Sequence, residues 1–380
     1  MTDSSRGPLQ GIQVLELGHI VAGPVASLVL ADLGADVIKI ERPGGGDQTR
    51  NSDGNQGHFI SYNSNKRSVL IDISTPDGKT RFLDLVTRSD VLIDNLSPGA
   101  LDRLGLGFEV LSQRNPRLLH ASIKGFLPGP FGDRALTDEP AQMMGGLAYM
   151  TGPKGRPLRA GTSVIDITGA LFAAIGILAA LRERHQTGRG RRIDVGLFES
   201  VVFLVGQHIA KASLLNKVPV PMPERGMGRD MGWGIYRIFT TRDSRSLFVA
   251  VMSDSHWENF CQEFALEALW ADAGLRTTNG RAAQSERLGQ ETERLIGALT
   301  FAEAVERLER AKLPYAPVNT PYDLLSDPHL AALHLLQTVT TPDGRRGVVA
   351  GLPLAAEGWF ASERRDPPAL GGDTDDILGS

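Results

Sequence analysis

The chain has one cysteine, Cys261, in 380 residues, so neither a disulfide framework nor a thiolate metal cluster can be built. Its eight histidines make no metal pattern. His329 and His334 are five apart, which does not put them on one helical face, and both H-E-x-x-H and C-x-x-C are missing. No metal site is expected. No block of lysine and arginine stands out against a net charge of −4, which argues against a partner held through nucleic-acid phosphates. G-x-S-x-G does not occur, so a serine hydrolase lacks its usual signal. G-x-G-x-x-G is missing as well, which disfavours a nicotinamide enzyme. Residues 1–7 are polar and lack the charged-then-apolar order of a secretory signal. The longest apolar stretch, residues 164–181, holds Asp166 and Thr168 near its start and ends in Arg182-Glu183-Arg184. A membrane span needs ~20 mostly apolar residues, so this stretch reads as a buried helix. A cytoplasmic location is expected.

Hydrophobic residues make up 41% and charged residues 22%, enough for a conventional globular core. The length suggests two domains or three. Glycine is abundant: 43 residues, roughly 11% against an average near 7%. No repeat explains the excess, whereas tight turns and close backbone approaches to a ligand would.

The first 130 residues alternate strand-like and helix-like text. Residues 12–17 (IQVLEL) read as a strand, followed by a turn at 18–23. Pro24 suits the first position of a helix that Gly34 ends. Strands are expected at 36–41, 68–73, 90–95, 118–123 and 192–197, with helices at 76–89 and from 164 to about 185. Alternation of this kind argues for a parallel sheet with ligands beyond the carboxyl ends of its strands. From residue 219 to 234 prolines, methionines and glycines crowd into what reads as a linker. Antiparallel strands are expected at 235–240 and 246–252, and a helix at 254–264. The expected organisation is a large domain begun by residues 1–218, a smaller domain at 225–315, and a return to the large domain over 316–380.

Each candidate site residue has a functional and a structural reading. The turn at 18–23 could offer N–H groups to a phosphate at a helix start, or be merely tight. Arg42, past a strand end and before three glycines, could stack on a base or pair with a phosphate, or sit in a surface loop. Asn95 and Ser97 could bond a ligand, and Lys124 adds a cation to the same edge. Asp166 lies in the first turn of a strongly apolar helix. With Ser163 as N-cap it approximates a capping box; alternatively it is a carboxylate held at a helix start, free to attack a carbonyl.

Several segments, in order, resemble the class III CoA-transferases, the family that includes formyl-CoA transferase and carnitine CoA-transferase. They are PLQGIQVLELGHIVAGPVASLVLADLGADVIKIERPGGGDQTR, NKRSVLIDI, DNLSPGALDRLGLG, ASIKGF, SVIDITGALFAAIGILAALRERHQTGRGRRIDVGLFES and APVNTPYDLLSDPHL. The match is weakest over 219–315. The resemblance implies an α/β fold: a Rossmann-like large domain with a parallel sheet, a smaller α+β domain, and a homodimer of two interlocked ring-like chains. It places Asp166 at the family's nucleophile and Arg42 where the adenine end of CoA packs. Ile71, Asn95, Leu96, Arg103 and Lys124 fall along the CoA groove. Val21, counted with that set, stands where formyl-CoA transferase has a glutamine touching its small acid. Glu139 aligns with a glutamate near the transferase site. The family's closing glycine loop has its nearest text at Gly226, Gly228 and Gly232.

The implied reaction moves CoA, the carrier substrate, from an acyl-CoA donor to a carboxylic acid acceptor, with no tightly bound cofactor. It runs through an aspartyl anhydride and an aspartyl-CoA thioester. An ordinary carboxylate pKa near 4 would keep Asp166 ionised without a base. Val21, Met143, Met144, Met150, Met222, Met227, Met231 and Trp233 suggest a partly apolar acyl pocket. Two alternatives stay open: a catalytically silent CoA-binding scaffold, and a 2-methylacyl-CoA racemase. The racemases share the fold but place a histidine about thirty residues before the aspartate, where this chain has Leu136.

Overall fold

The structure is a computed structural model that describes residues 7–50, 56–225, 233–357, 359 and 364–379. The chain divides into two compact units. One comprises Met1–Ala148, Arg159–Asn216 and Asp327–Ser380; the other comprises Tyr149–Leu158 and Lys217–Ser326.

The first unit is built on six strands: β1 (Gln13–Leu17), β2 (Asp36–Glu41), β3 (Lys66–Leu70), β4 (Val91–Asp94), β5 (Leu119–Lys124) and β6 (Arg191–Gly196). All pair in parallel, in the order β3-β2-β1-β4-β5-β6. Their text is apolar at consecutive positions because both faces are covered: Val14, Leu15, Val37, Ile38, Leu92 and Ile93 are all buried. On one face lie the helices Ala22–Asp32 and Val164–Thr187; on the other, Pro76–Arg88 brings Phe82, Leu85 and Val86 against Leu15, Ile38 and Leu92. The sheet reverses direction of growth between β1 and β4, and a crevice opens beyond the strand ends at such a point.

Several local readings hold, and the departures have causes. Gly34 closes the helix Ala22–Asp32 with φ +100°, a conformation that costs glycine little. That helix begins at Ala22, so Pro24 is its third residue; its missing N–H falls in the first turn, where no intrahelical acceptor exists. The third strand stops at Leu70 because Asp72 turns back, accepting Ser74 N–H at 3.0 Å, and Thr75 then caps Pro76–Arg88. β6 ends at Gly196, where Leu197 already starts a helix. The helix Val164–Thr187 is long and apolar enough to cross a membrane by length and composition. It packs on β5 and β6, and only one face of it is buried: Ile165, Gly169, Ala173, Ile177 and Ala180 turn inward, whereas Leu171, Ile175 and Leu178 are exposed. The reading of a buried helix thus holds for its inward face.

In the second unit β7 (Ile235–Thr240), β8 (Ser246–Val251) and β9 (Tyr315–Pro317) form an antiparallel sheet in that order. Phe239, Leu247, Trp257, Phe260, Leu288 and Leu308 make its core, with helices Asp254–Glu263, Ser285–Gly297 and Phe301–Arg310 contributing. Back in the first unit, β10 (Leu336–Thr340) and β11 (Arg346–Ala350) form a hairpin. The chain then reaches the free edge of β3, where Asp373 accepts Ser68 N–H at 2.8 Å and donates its own N–H to Ser68 O.

Candidate functional site

Two cavities lie in the first unit at the carboxyl ends of the strands. The larger, about 420 Å³, is bordered by Gly18, His19, Arg42, Asp47, Ile71 and Leu96. The smaller, about 350 Å³, is bordered by His19, Val21, Lys124, Leu136, Glu139 and Asp166, among others. His19 and Leu96 belong to both.

The turn after β1 separates them, and its shape is imposed from outside. Ile20 has φ +66°, an outlier for a β-branched residue that costs on the order of 1–3 kcal/mol and persists only where surroundings over-determine it. They do so here. Lys39 Nζ donates to Gly18 O at 2.9 Å. Asn95 accepts from His19 N–H and returns a hydrogen bond from Nδ2 to His19 O, both at 3.0 Å. Asp47 accepts Ile20 N–H at 3.2 Å. Gly18 and Gly23 meet so closely that a Cβ on Gly23 would stand 2.8 Å from Gly18 Cα, which explains glycine at both ends. Beneath the turn, Glu16 accepts from Lys39 at 2.6 Å, Lys66 at 2.8 Å and Ser27 at 2.6 Å, all buried. Lys39 also pairs with Asp47 at 2.9 Å. Burial would raise Asp47, but Lys39 and Thr49 outweigh it and hold its carboxyl at about 2.

Asp166 opens the helix Val164–Thr187, but it does not cap it. Ser163 makes no side-chain capping bond. The cap comes from Asp138, 28 residues upstream, whose Oδ2 accepts Ile165 N–H at 2.7 Å and Asp166 N–H at 3.1 Å. Asp138 is held in turn by Gln142 Nε2 at 2.5 Å, and Gln142 Oε1 accepts Ala160 N–H at 2.8 Å. With the orphan amides satisfied by another carboxylate, Asp166 is left to the cavity. Its environment raises its pKa to about 7, first by burial and second by the charge of Asp138. The expectation of an ordinary, fully ionised carboxylate is corrected. Tyr62, from the helix Gln56–Asn63, is close enough to feel Asp166: burial and that charge both push its phenol upward.

Of the other sequence candidates, Val21 and Glu139 line the smaller cavity, and Glu139 pairs with Arg159 at 3.0 Å. Arg42 and Ile71 line the larger. Asn95 borders the smaller cavity with its amide already spent on His19. Lys124 reaches the same cavity tied to the Asp94 carboxylate and to Leu96 O at 2.7 Å. Asp94, which His120 Nε2 also contacts at 2.8 Å, is held at about 2; burial opposes this, and His120 and Lys124 prevail. Arg103 is in neither cavity lining. Its guanidinium folds back on Pro98 O at 2.9 Å and on Ser97 Oγ. Met143, Met144 and Met150 also stand outside the smaller cavity, whose apolar walls are Ile20, Val21, Ile123, Leu136 and Leu197. Gly226, Gly228 and Gly232, with Met227 and Met231, lie outside the described residues. Among the described residues no cluster of three or more metal-ligating side chains occurs. Sequence reasoning missed Asp138, Tyr62, Lys39 and Asp47. All four act across long sequence separations that spacing does not reveal.

Comparison with known proteins bears on the chain as a whole. The family model described as CoA-transferase family III matches residues 9–374. The chain is 33% identical to the succinyl-CoA:mesaconate CoA-transferase of Haloarcula hispanica, covering 92% of this chain and 90% of that protein. It is 32% identical to the succinyl-CoA:glutarate CoA-transferase of Mus musculus, over 98% of this chain and 86% of the other. Among solved structures, a CAIB/BAIF family protein from Brucella suis superposes with a TM-score of 0.87 at 29% identity, covering 98% of each chain.

Proposed function

From the premise that this chain belongs to CoA-transferase family III, and is thus a CoA-transferase acting on CoA thioesters, we propose that Asp166 is its covalent nucleophile. The observation that carries the reading is the remote cap. Asp138 takes the amides that Asp166 would otherwise satisfy, and leaves a carboxylate facing a 350 Å³ cavity beside Val21, Glu139 and Lys124.

In the proposed sequence, an Asp166 oxygen adds to the donor's acyl carbonyl and the C–S bond breaks, giving a mixed anhydride and CoA thiolate. The thiolate attacks the aspartyl carbonyl; the donor acid leaves as carboxylate and an aspartyl-CoA thioester remains. The acceptor carboxylate attacks that thioester and expels the thiolate again. The thiolate then takes the acceptor's acyl group and restores Asp166. No proton is consumed overall. Proximity must supply much of the rate, because a carboxylate is a weak nucleophile. Val21 and Ala22 stand at a helix start and line the same cavity, and their amides are assigned as oxyanion donors. The glycines at 226, 228 and 232 remain part of the proposal as a second donor group. The nucleotide end of CoA is assigned to the larger cavity, with Arg42 and Ile71. The racemase alternative would need a histidine where Leu136 lines the cavity. Intact-mass spectra of the protein with acyl-CoAs test the reading. We expect a hydroxylamine-sensitive adduct in the wild type, no adduct in Asp166→Ala, and turnover lower by ~10⁴-fold. Substantial transfer by that variant would rule the mechanism out.

For the acids, we infer a dicarboxylate. The names of the two relatives pair succinyl-CoA with mesaconate or glutarate. Arg159, 3.0 Å from Glu139, is a cation beside the cavity that a second carboxylate could engage. Arg159→Gln should raise KM about tenfold for succinyl-CoA while leaving butyryl-CoA nearly unchanged; equal effects on both donors would reject the assignment.

A homodimer of interlocked chains belongs to the same proposal. Leu171, Ile175 and Leu178 are exposed on one helix, and Phe203, Ile209 and Leu214 on the next two. An apolar surface of this extent is unusual on a monomer.

A further inference from the structure

Asp47 touches both halves of the site. It lines the larger cavity, while its carboxylate accepts Ile20 N–H, and Ile20 lines the smaller cavity with Asp166. We propose that Asp47 is a positioning residue that couples occupation of the nucleotide-sized cavity to the shape of the acyl-site turn. The inference rests on the reading above, with the nucleotide end of CoA in the larger cavity.

The connection is physical at each step. The loop from Arg42 to Gln48 forms one wall of the larger cavity, through Arg42, Gly46, Asp47 and Gln48. Gly44 and Gly46 have positive φ, and a Cβ at Gly44 or Gly45 would meet nothing within 4 Å, whereas one at Gly46 would stand 2.6 Å from Leu370. Its far end is fixed through Asp47. Asp47 N–H donates to Glu41 Oε1 at 2.9 Å, and its carboxylate takes Thr49 N–H at 2.9 Å and Thr49 Oγ at 2.7 Å. Lys39 neutralises that carboxylate and holds Gly18 O at the other end of the turn. A ligand that draws in Arg42, Gly46 and Gln48 therefore pulls on the acceptor that keeps Ile20 in its left-handed conformation. A β-branched residue does not hold that conformation unaided. Binding energy from a remote part of the substrate is thereby spent at the reacting centre.

The experiment compares an acyl-CoA with the matching acyl-pantetheine, which lacks the nucleotide, in single-turnover adduct formation at saturating donor. Wild type should react ~10-fold faster or more with the CoA thioester. In Asp47→Asn the amide presents N–H groups toward Lys39 and loses its grip on the turn. The rate ratio between the two donors should fall toward one, with the pantetheine rate changed far less. Thr49→Val leaves the Ile20 acceptor in place and should keep the wild-type ratio. A general structural defect would slow both donors alike and preserve the ratio, and that result would overturn the proposal. If Asp47→Asn does not fold, Asp47→Glu keeps the charge beside Lys39 and displaces the acceptor. The ratio should again fall, and an unchanged ratio overturns the proposal equally. Absence of an adduct in wild type with either donor would instead sink the transferase mechanism on which the inference stands.

Discussion

At the scale of single residues, the proposed chemistry turns on two carboxylates from different parts of the chain. Asp138 is satisfied by the helix amides and Gln142, whereas Asp166 carries the cost of their proximity. In the proposed mechanism only ionised Asp166 can attack, and burial together with Asp138 lifts it from 3.8 to about 7. Single-turnover adduct formation should accordingly climb about tenfold per pH unit below 7 and level off above it. Asp138→Asn removes the neighbouring charge but not the burial, so the midpoint should move to lower pH and the relative rate at pH 6 should rise. A midpoint near 4 in the wild type would contradict this account. The same shift has a stability consequence of opposite sign. A folded-state pKa above the unfolded value means that the folded chain holds its proton more tightly. Asp166 thus weighs on stability progressively as pH rises from about 4 through about 7.

Among the elements, the sequence was most readable where local chemistry decides the outcome. Apolar residues at 37, 38 and 40 and at 91–93 announce strands buried on both faces. Gly34 and Gly188 mark helix ends that the structure places at positive φ. The parallel order follows from the alternation of strands and helices. What could not be read is any contact made across the sheet. The capping box expected of Ser163 and Asp166 is locally plausible, yet a cap from Asp138 takes its place because three-dimensional packing brings a better acceptor to the same amides. Arg103, which the resemblance places along the CoA groove, satisfies itself on its own loop. The turn at 18–23 was recognisable as a glycine-bounded turn, but its three clamps come from Lys39, Asp47 and Asn95, beyond any local window. Asp166, Val21 and Arg42 could thus be named as candidates from sequence and do line the two cavities, whereas the residues that shape those cavities could not.

Across the whole molecule, the exposed apolar face fits the proposed dimer. Leu171, Ile175 and Leu178 repeat along one side of a helix whose other side is core. Light scattering should give the mass of two chains, and dilution should not separate them before they unfold. Ile175→Asp should yield monomer or aggregate, since a charge at a face that must desolvate is costly. A wild-type monomer at micromolar concentration would refute the dimer.

The strap at the end of the first unit has a consequence in time. Ser68 on the edge strand β3 is paired with Asp373, 305 residues later. At ~5–20 residues per second of synthesis, that edge stays open for on the order of 15–60 s after β3 leaves the ribosome. The strand most inviting to a stray neighbour is thus sealed among the last. A nascent chain must be shielded, or lucky, until its own tail arrives.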